Sequence, residues 1–286
     1  MVSADRQDRL AAEGLAGMSF GWFRRWKHDR RIARARAEIA GRDFEPAAHG
    51  LDAPLIVSLT SYAARFPAVV MVLESLSRQT VRPDRIILWL DEEDRDALPD
   101  RIGQMGVEVK FCPNWKSYKK IVPTLLEAPD SYIVTADDDV YYGPDWLAAL
   151  VGRASAGVVC HRAHEVVLDN TGQPQSYQAW RRNMDAPAAG KLVFPTGVGG
   201  VLYAPGVFHP DVTDAAKFQR LAPSADDVWL YWMHRMAGSL PEKIGGKFRI
   251  VEWPGSQARN LRSGNLTGDG NDRAVAAMLR EYGWPG

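Results

Sequence analysis

Only two cysteines, Cys112 and Cys160, occur in the 286 residues. They have no metal-type spacing and form no disulfide framework, which fits a reducing compartment. No apolar run is long enough to span a bilayer, and no charged-then-apolar stretch at the amino terminus reads as a secretion signal. The expected location is therefore the cytoplasm. Excess charge is lacking too: 35 Lys and Arg balance 35 Asp and Glu, so nothing points to nucleic acid or another polyanion. Internal repeats and low-complexity tracts are missing. So are G-x-x-x-x-G-K-[ST] and, after the first strand, G-x-G-x-x-G, which excludes a P-loop and a dinucleotide fingerprint. What remains is an ordinary globular composition, 46% hydrophobic and 24% charged, with length for one large domain or two small ones.

Residues 1–50 differ from the rest and read as a basic helical extension. Arg24, Arg25, Lys27, Arg30, Arg31, Arg34 and Arg36 accompany Phe20, Trp22, Phe23 and Trp26. A basic helix with an aromatic leading edge suits the surface of an anionic membrane, here the inner face of the cell membrane. It equally suits packing of the tryptophans on the domain or on a second copy in a homo-oligomer. Gly41 and the run from Pro46 to Gly50 read as helix stop and linker.

Residues 51–255 alternate strands and helices. Leu55–Thr60 is a short apolar, β-branched run expected as a strand, and Arg85–Leu90, Val107–Phe111 and Tyr132–Ala136 are expected as three more. Pro67–Arg78 has apolar residues at helical spacing, and Tyr118–Glu127 reads as a helix interrupted by Pro123. Such alternation implies βαβ units, hence an α/β fold with a mostly parallel sheet. Residues 256–286 hold a Gly-, Asn- and Asp-rich loop before a terminal helix, Arg273–Tyr282. That segment is expected as a lid, with Arg259 and Arg262 reaching phosphate, or as an inert tail.

The acids carry the chemistry. The strand Tyr132–Ala136 runs into Asp137, Asp138 and Asp139, and strand alternation would aim Asp137 and Asp139 to one side. Like charges aimed at one spot invite a cation, and oxygen-only ligands suit Mg²⁺ or Mn²⁺ completed by substrate phosphates. An isolated triplet is otherwise a solvated turn. The apolar strand upstream argues against that, because open α/β sheets bind ligands beyond the carboxyl ends of their strands. Arg65, Lys119 and Lys120 are candidates to meet phosphate. A second acidic pair, Asp226 and Asp227, opens the segment Val228–Trp232. Ser224 with Asp227 fits the broader capping-box pattern, and a carboxylate at a helix start beside a cleft also suits a general base.

These segments, together with Gly199-Gly200-Val201-Leu202-Tyr203, follow one another as in bacterial GT-A glycosyltransferases of the family-2-like kind associated with surface polysaccharide, which residues 54–253 resemble. The resemblance implies a Rossmann-like GT-A sheet flanked by helices and a nucleotide-sugar donor, UDP- or GDP-linked. It implies a divalent metal, Mn²⁺ or Mg²⁺, on the diphosphate, and an acceptor glycan or lipid-linked saccharide in the second half. Carried over, Thr60, Tyr62 and Arg65 touch the nucleotide, Asp91 lies near the base, and Lys119 or Lys120 approaches the diphosphate. Asp137 sits near the ribose or the metal with Asp138 beside it, Asp139 ligates the metal, and Gly199 and Gly200 allow close ligand approach. Asp227 or Asp226 looks like the base, giving a hexosyltransferase expected to invert.

Trp180, Trp229, Trp232 and Trp253 are candidates for sugar stacking or for the core, and His209 is weighed as a further metal ligand against the commoner role of a lone His beside Pro210, a surface or capping residue. A nucleotidyltransferase would also use paired Asp and metal, but with a glycine-rich basic loop where Ser61-Tyr62-Ala63-Ala64-Arg65 stands. A non-catalytic carbohydrate- or metal-binding module would need no nucleotide.

Overall fold

A computed structural model describes residues 22, 23, 25–255 and 269–286. One compact unit ends at Arg42 and a second runs from Asp43 to Gly286. In the first, residues 25–40 form helix α1, closed by paired 2.9 Å contacts from Arg42 to Glu38. Trp22, Phe23 and Trp26 are exposed, with Lys27 Nζ 4.3 Å from the Phe23 ring and the Arg30 guanidinium 4.8 Å from Trp26. Phe20 and Arg24 lie outside the described residues.

The second unit begins with β1 (Ala47–Ala48), β2 (Leu55–Thr60), α2 (Phe66–Leu76), β3 (Val81–Arg82), β4 (Arg85–Leu90), α3 (Asp100–Gly103), β5 (Glu108–Phe111), α4 (Val122–Glu127) and β6 (Tyr132–Ala136). It continues through α5 (Trp146–Val151), β7 (Val158–Cys160), β8 (Ala163–Glu165), β9 (Ala188–Ala189), β10 (Val193–Pro195) and β11 (Val201–Tyr203). Last come α6 (Ala215–Leu221), α7 (Asp226–Met236), β12 (Glu242–Lys243) and α8 (Gly270–Tyr282).

The main sheet has the order β5-β4-β2-β6-β11-β7-β12-β9. Strands β5, β4, β2 and β6 are mutually parallel. Strand β11 opposes both β6 and β7, β12 follows β7, and β9 opposes β12. Two strands, β11 and β9, thus run against the other six. Residues Leu55 to Leu59 of β2 are all buried, as expected of a central strand covered on both faces, and that burial is why the run is apolar without alternation. Chain order diverges around β2, towards β4 on one side and β6 on the other. Right-handed crossovers leaving in opposite directions fall on opposite faces, so a crevice opens at the carboxyl ends of β2 and β6.

One element departs from expectation. Pro123 does not interrupt a helix: it occupies the first turn of α4, where its missing N–H costs nothing. The break is at Ile121 (φ −138°), after a 3₁₀ turn over Lys116–Lys120 that buries Lys119 and Lys120.

The tryptophans settle as core. Trp180, Trp229, Trp232 and Trp253 are all buried, and the indole N–H groups of the first three donate to the carbonyls of Gln175, Val212 and Gly283. None lines the cleft described below. His209 caps a 3₁₀ turn, its Nδ1 accepting from the Asp211 N–H at 3.2 Å. Helix α8 packs Ala274, Val275 and Met278 into the core that α7 shares. Arg259, Arg262 and the expected lid loop lie outside the described residues.

His234 of α7 is fully buried, and burial, then Arg235, lower its pKa to about 3. The folded state therefore disfavours the protonated ring relative to the unfolded chain. Stability from this site is present above pH ~6.5 and is lost as pH falls towards about 3. In urea titrations between pH 7 and 4, His234→Leu should flatten the pH slope of the unfolding free energy by up to one proton, ~1.4 kcal/mol per pH unit. An unchanged slope would refute this.

Candidate active site

At the carboxyl ends of β2, β4 and β6 lies a cleft of about 1090 Å³. Thr60 closes β2, and its hydroxyl donates to the Trp89 carbonyl at 2.8 Å, tying the strand end to β4. The chain then turns through Ala63–Arg65, where the Ala63 N–H donates to Asp94 Oδ1 at 2.9 Å. The Arg65 guanidinium lies 5.6 Å from the Tyr62 ring. Thr60, Tyr62 and Arg65 all line the cleft.

Strand β6 ends at Ala136, so the acidic triplet occupies the turn beyond it. Strand alternation therefore does not govern its side chains, and the reason for expecting Asp137 and Asp139 on one side is replaced by specific contacts. Asp138 is buried and engaged at both oxygens, accepting from Ser61 Oγ at 2.6 Å and from Arg65 Nη1 at 2.5 Å. It braces the loop after β2 against the turn after β6 while also lining the cleft. The Asp137 N–H donates to the Tyr142 hydroxyl at 2.8 Å, and its Oδ1 accepts from Lys120 Nζ at 2.9 Å. Asp139 Oδ2 accepts from Arg65 Nη1 at 3.1 Å. Burial first, then the charges of Asp137 and Asp138, raise the Asp139 carboxyl to about 7.

The second acidic pair faces the first across Lys120. Ala225 caps α7, so the capping box expected from Ser224 is not built, and both acids sit in the first turn. Asp226 accepts from Ser117 Oγ at 2.7 Å and pairs with Lys120 Nζ at 3.1 Å. Asp227 Oδ1 accepts from the Gly197 N–H at 3.0 Å. Asp227 lies deep in the protein yet keeps surface on the cleft. Burial, then Asp226, raise its carboxyl to about 7 against the opposing pull of Lys120. Burial alone would lower the Lys120 pKa, but Asp137, Asp226 and Asp227 hold it well above the usual lysine value. Lys119 turns the other way, to Asp91 at 2.9 Å, and that pair lines the cleft beyond β4.

Gly199 and Gly200 are not in the cleft wall. A Cβ on Gly199 would meet Arg162 Cβ at 2.7 Å, and one on Gly200, at φ +87°, would meet the Trp146 ring at 2.3 Å. Their smallness serves packing within the protein, not ligand approach. The glycine in the site is Gly197, where a Cβ would come within 2.7 Å of Lys120 Nζ and 3.1 Å of Asp227 Oδ1. Sequence reasoning missed it, along with Ser61, Arg162, His164 and Arg182, which also line the cleft. The Gly199-Gly200 pair flagged the loop but not which of its glycines lines the cleft.

The donor set fits a hard divalent cation. Asp137 and Asp139 offer oxygen only, and the Asp139 carboxyl, raised by burial first and then by its two acidic neighbours, is one whose charged form a cation would stabilise. Among the described residues no group of three His, Cys, Asp or Glu stands ready to hold a metal; an ion held by these two carboxylates would need its other ligands from phosphate and water.

A mostly parallel Rossmann-like sheet, with acids in the turn after its fourth parallel strand and a cleft at the switch point, is the GT-A architecture. The model of glycosyl transferase family 2 matches residues 59–202, half of the chain, and the protein belongs to this family and is a glycosyltransferase. Asp226 and Asp227 lie beyond the matched residues, so their place in the site rests on geometry alone.

No curated protein matches the chain. Among solved structures it is similar to a mannosyltransferase from Pyrobaculum calidifontis in complex with GDP-Man and Mn²⁺ (12% identity, covering 96% of this chain and 82% of that one, TM-score 0.49). It is also similar to glucosyl-3-phosphoglycerate synthase from Mycobacterium tuberculosis in complex with Mn²⁺, UDP and glucosyl-3-phosphoglycerate (14%, 82% and 82%, TM-score 0.43). A third is a 4-diphosphocytidyl-2C-methyl-D-erythritol synthase (14%, 79% and 100%, TM-score 0.44).

Proposed function

We propose that the protein moves a sugar from a UDP- or GDP-linked donor to a hydroxyl of a glycan or lipid-linked saccharide, with metal assistance and inversion. The observation that carries this reading is Lys120, whose one ammonium contacts Asp137 of the turn and Asp226 of α7. Donor-side and acceptor-side acids therefore share one cleft.

In this reading Thr60 and Tyr62 line the nucleoside side, with the neutralised Lys119–Asp91 pair towards the base. Asp137 and Asp139 hold Mn²⁺ or Mg²⁺, which when bound supplies positive charge to the diphosphate leaving group. Arg65 and Lys120 add fixed positive charge there, and preorganised charge of this kind is commonly the largest catalytic contribution. Asp227 takes the proton of the acceptor hydroxyl, whose oxygen bonds to the anomeric carbon as the bond from that carbon to phosphate breaks and the nucleoside diphosphate departs. Attack opposite the leaving group inverts the centre.

Metal-dependent release of nucleoside diphosphate, screened over UDP- and GDP-sugars, tests the reading. In Asp139→Asn, nucleotide affinity with Mn²⁺ should fall to the value measured with EDTA; undiminished affinity would remove Asp139 from the metal site. Because the Asp139 carboxyl sits near 7, protons compete with metal below that pH, and Mn²⁺-dependent affinity should weaken ~tenfold from pH 8 to pH 6. Affinity flat over that range would contradict it.

For the first unit we propose peripheral contact with the cytoplasmic membrane surface, supported by the exposed Trp22, Phe23 and Trp26 beside Lys27 and Arg30. Vesicles containing phosphatidylglycerol should sediment the protein, and Trp26→Ala with Arg30→Glu should release it. Loss of a homo-oligomer in that variant, with no vesicle binding by the parent, would assign the helix to self-association instead.

A further inference from the structure

Each carboxylate proposed to hold the metal is already held by a cation of the protein itself. Asp137 Oδ1 accepts from Lys120 Nζ at 2.9 Å, and Asp139 Oδ2 accepts from Arg65 Nη1 at 3.1 Å. The two cations differ in freedom. Lys120 is fixed from both sides, its ammonium 2.9 Å from Asp137 and 3.1 Å from Asp226. Arg65 ends the 3₁₀ turn Ala63–Arg65 and caps α2, so its backbone is pinned while its side chain forms part of the cleft wall.

One nitrogen of Arg65 makes two contacts of unequal hold. Nη1 carries two hydrogens, with Asp138 Oδ1 at 2.5 Å and Asp139 Oδ2 at 3.1 Å. Asp138 is the more buried acid, its side chain 8% exposed against 14% for Asp139. Burial works against the Arg65 charge, and of the two acids that sustain it Asp138 contributes more than Asp139. The contact with Asp138 is therefore the anchor, and the contact with Asp139 is the exchangeable one. With a divalent ion on Asp139, this guanidinium would face a second cation, at a cost that an anion between the two removes. The diphosphate of a sugar nucleotide is such an anion, and its oxygens suit guanidinium N–H donors.

We infer that Arg65 is an exchangeable counter-ion of the metal site: its N–H on Asp139 holds that carboxylate until the ion takes it, then turns to the donor diphosphate, while its N–H on Asp138 stays in place. Arg65 thereby couples metal binding to donor binding. This rests on the proposed transfer reaction and assigns how its donor is captured.

The test measures Mn²⁺ affinity of the full chain by electron paramagnetic resonance, and UDP and GDP affinity by calorimetry with Mn²⁺ or with EDTA. In the wild type, nucleotide should tighten Mn²⁺ binding at least ~tenfold. In Arg65→Gln, Mn²⁺ alone should bind ~3- to 10-fold more tightly, because Asp139 is released. Nucleotide affinity of that variant should fall ~tenfold with Mn²⁺ but less than ~twofold with EDTA, since without the ion Arg65 stays on Asp139. Arg65→Lys keeps the charge but not the paired N–H geometry; it should show the same signs at smaller size, and it replaces the Gln variant if circular dichroism finds that one unfolded. An equal loss of nucleotide affinity with Mn²⁺ and with EDTA would make Arg65 a permanent phosphate ligand, overturning the inference and leaving the transfer reading intact. Mn²⁺ affinity unchanged by the substitutions, or untouched by nucleotide in the wild type, does the same. A wild-type protein that binds neither nucleotide with Mn²⁺ overturns both.

Discussion

Asp227→Asn is expected to lower the rate of sugar transfer ~10²–10⁴-fold while leaving nucleoside-diphosphate affinity within a factor of two. The amide keeps the volume and the contact with the Gly197 N–H but cannot accept the acceptor proton. A carboxyl raised to about 7 is also well matched to a base working near neutrality, because its protonation state and its proton affinity are balanced there. Transfer by the wild type should accordingly rise with pH through about 7, since the group must be ionised to act. The variant's residual activity should lack that rising limb. Initial rates of diphosphate release from pH 5.5 to 8.5 decide the matter. A variant within tenfold of wild type would move the base elsewhere, Asp226 being the alternative. Asp226 already accepts from Ser117 and pairs with Lys120, so it is the more committed of the two to structure.

Lys120→Met should destabilise the protein by ~3–5 kcal/mol, the usual cost of removing one partner from a buried ion cluster. Its side chain is only 8% exposed between Asp137 and Asp226, and Asp227 also feels its charge. Methionine fills the space of the aliphatic stem but leaves those carboxylates facing one another. Without the ammonium, which opposes the upward push of burial and Asp226 on Asp227, the Asp227 carboxyl is driven further towards protonation. A carboxyl raised in this way destabilises above its folded value and is relieved as pH falls. The deficit measured by urea unfolding should therefore be larger at pH 8 than at pH 5. Equal stability of the two proteins at pH 8 would show that solvent, not Lys120, compensates the acids.

The parallel half of the sheet was legible because its inner strands β2, β4 and β6 are mostly buried apolar runs, and the turn after Ala136 because three consecutive carboxylates interrupt such a run. Which way each acid points was not legible. Asp138 is turned inward by Ser61 and Arg65, partners 77 and 73 residues away in the chain, and three identical side chains carry no local mark of that choice. The glycines failed for the same reason: Gly197 matters because Lys120 and Asp227 crowd it, and both belong to distant segments. Strands β7 to β12 have two or three residues each, too few for periodicity, so Arg162 and Arg182 had no frame in which to be noticed. Lys119 and Lys120 both line the cleft, but adjacent residues on a 3₁₀ turn diverge, one to Asp91 and one to the acids.

The buried contacts of Asp138 have an implication for how a donor is received. Through them the two lips of the crevice are fastened together by the protein's own hydrogen bonds, so most of the ordering entropy is lost during folding and little is left to lose on encounter. Pre-organisation of that kind lowers the ordering cost of binding at these two segments.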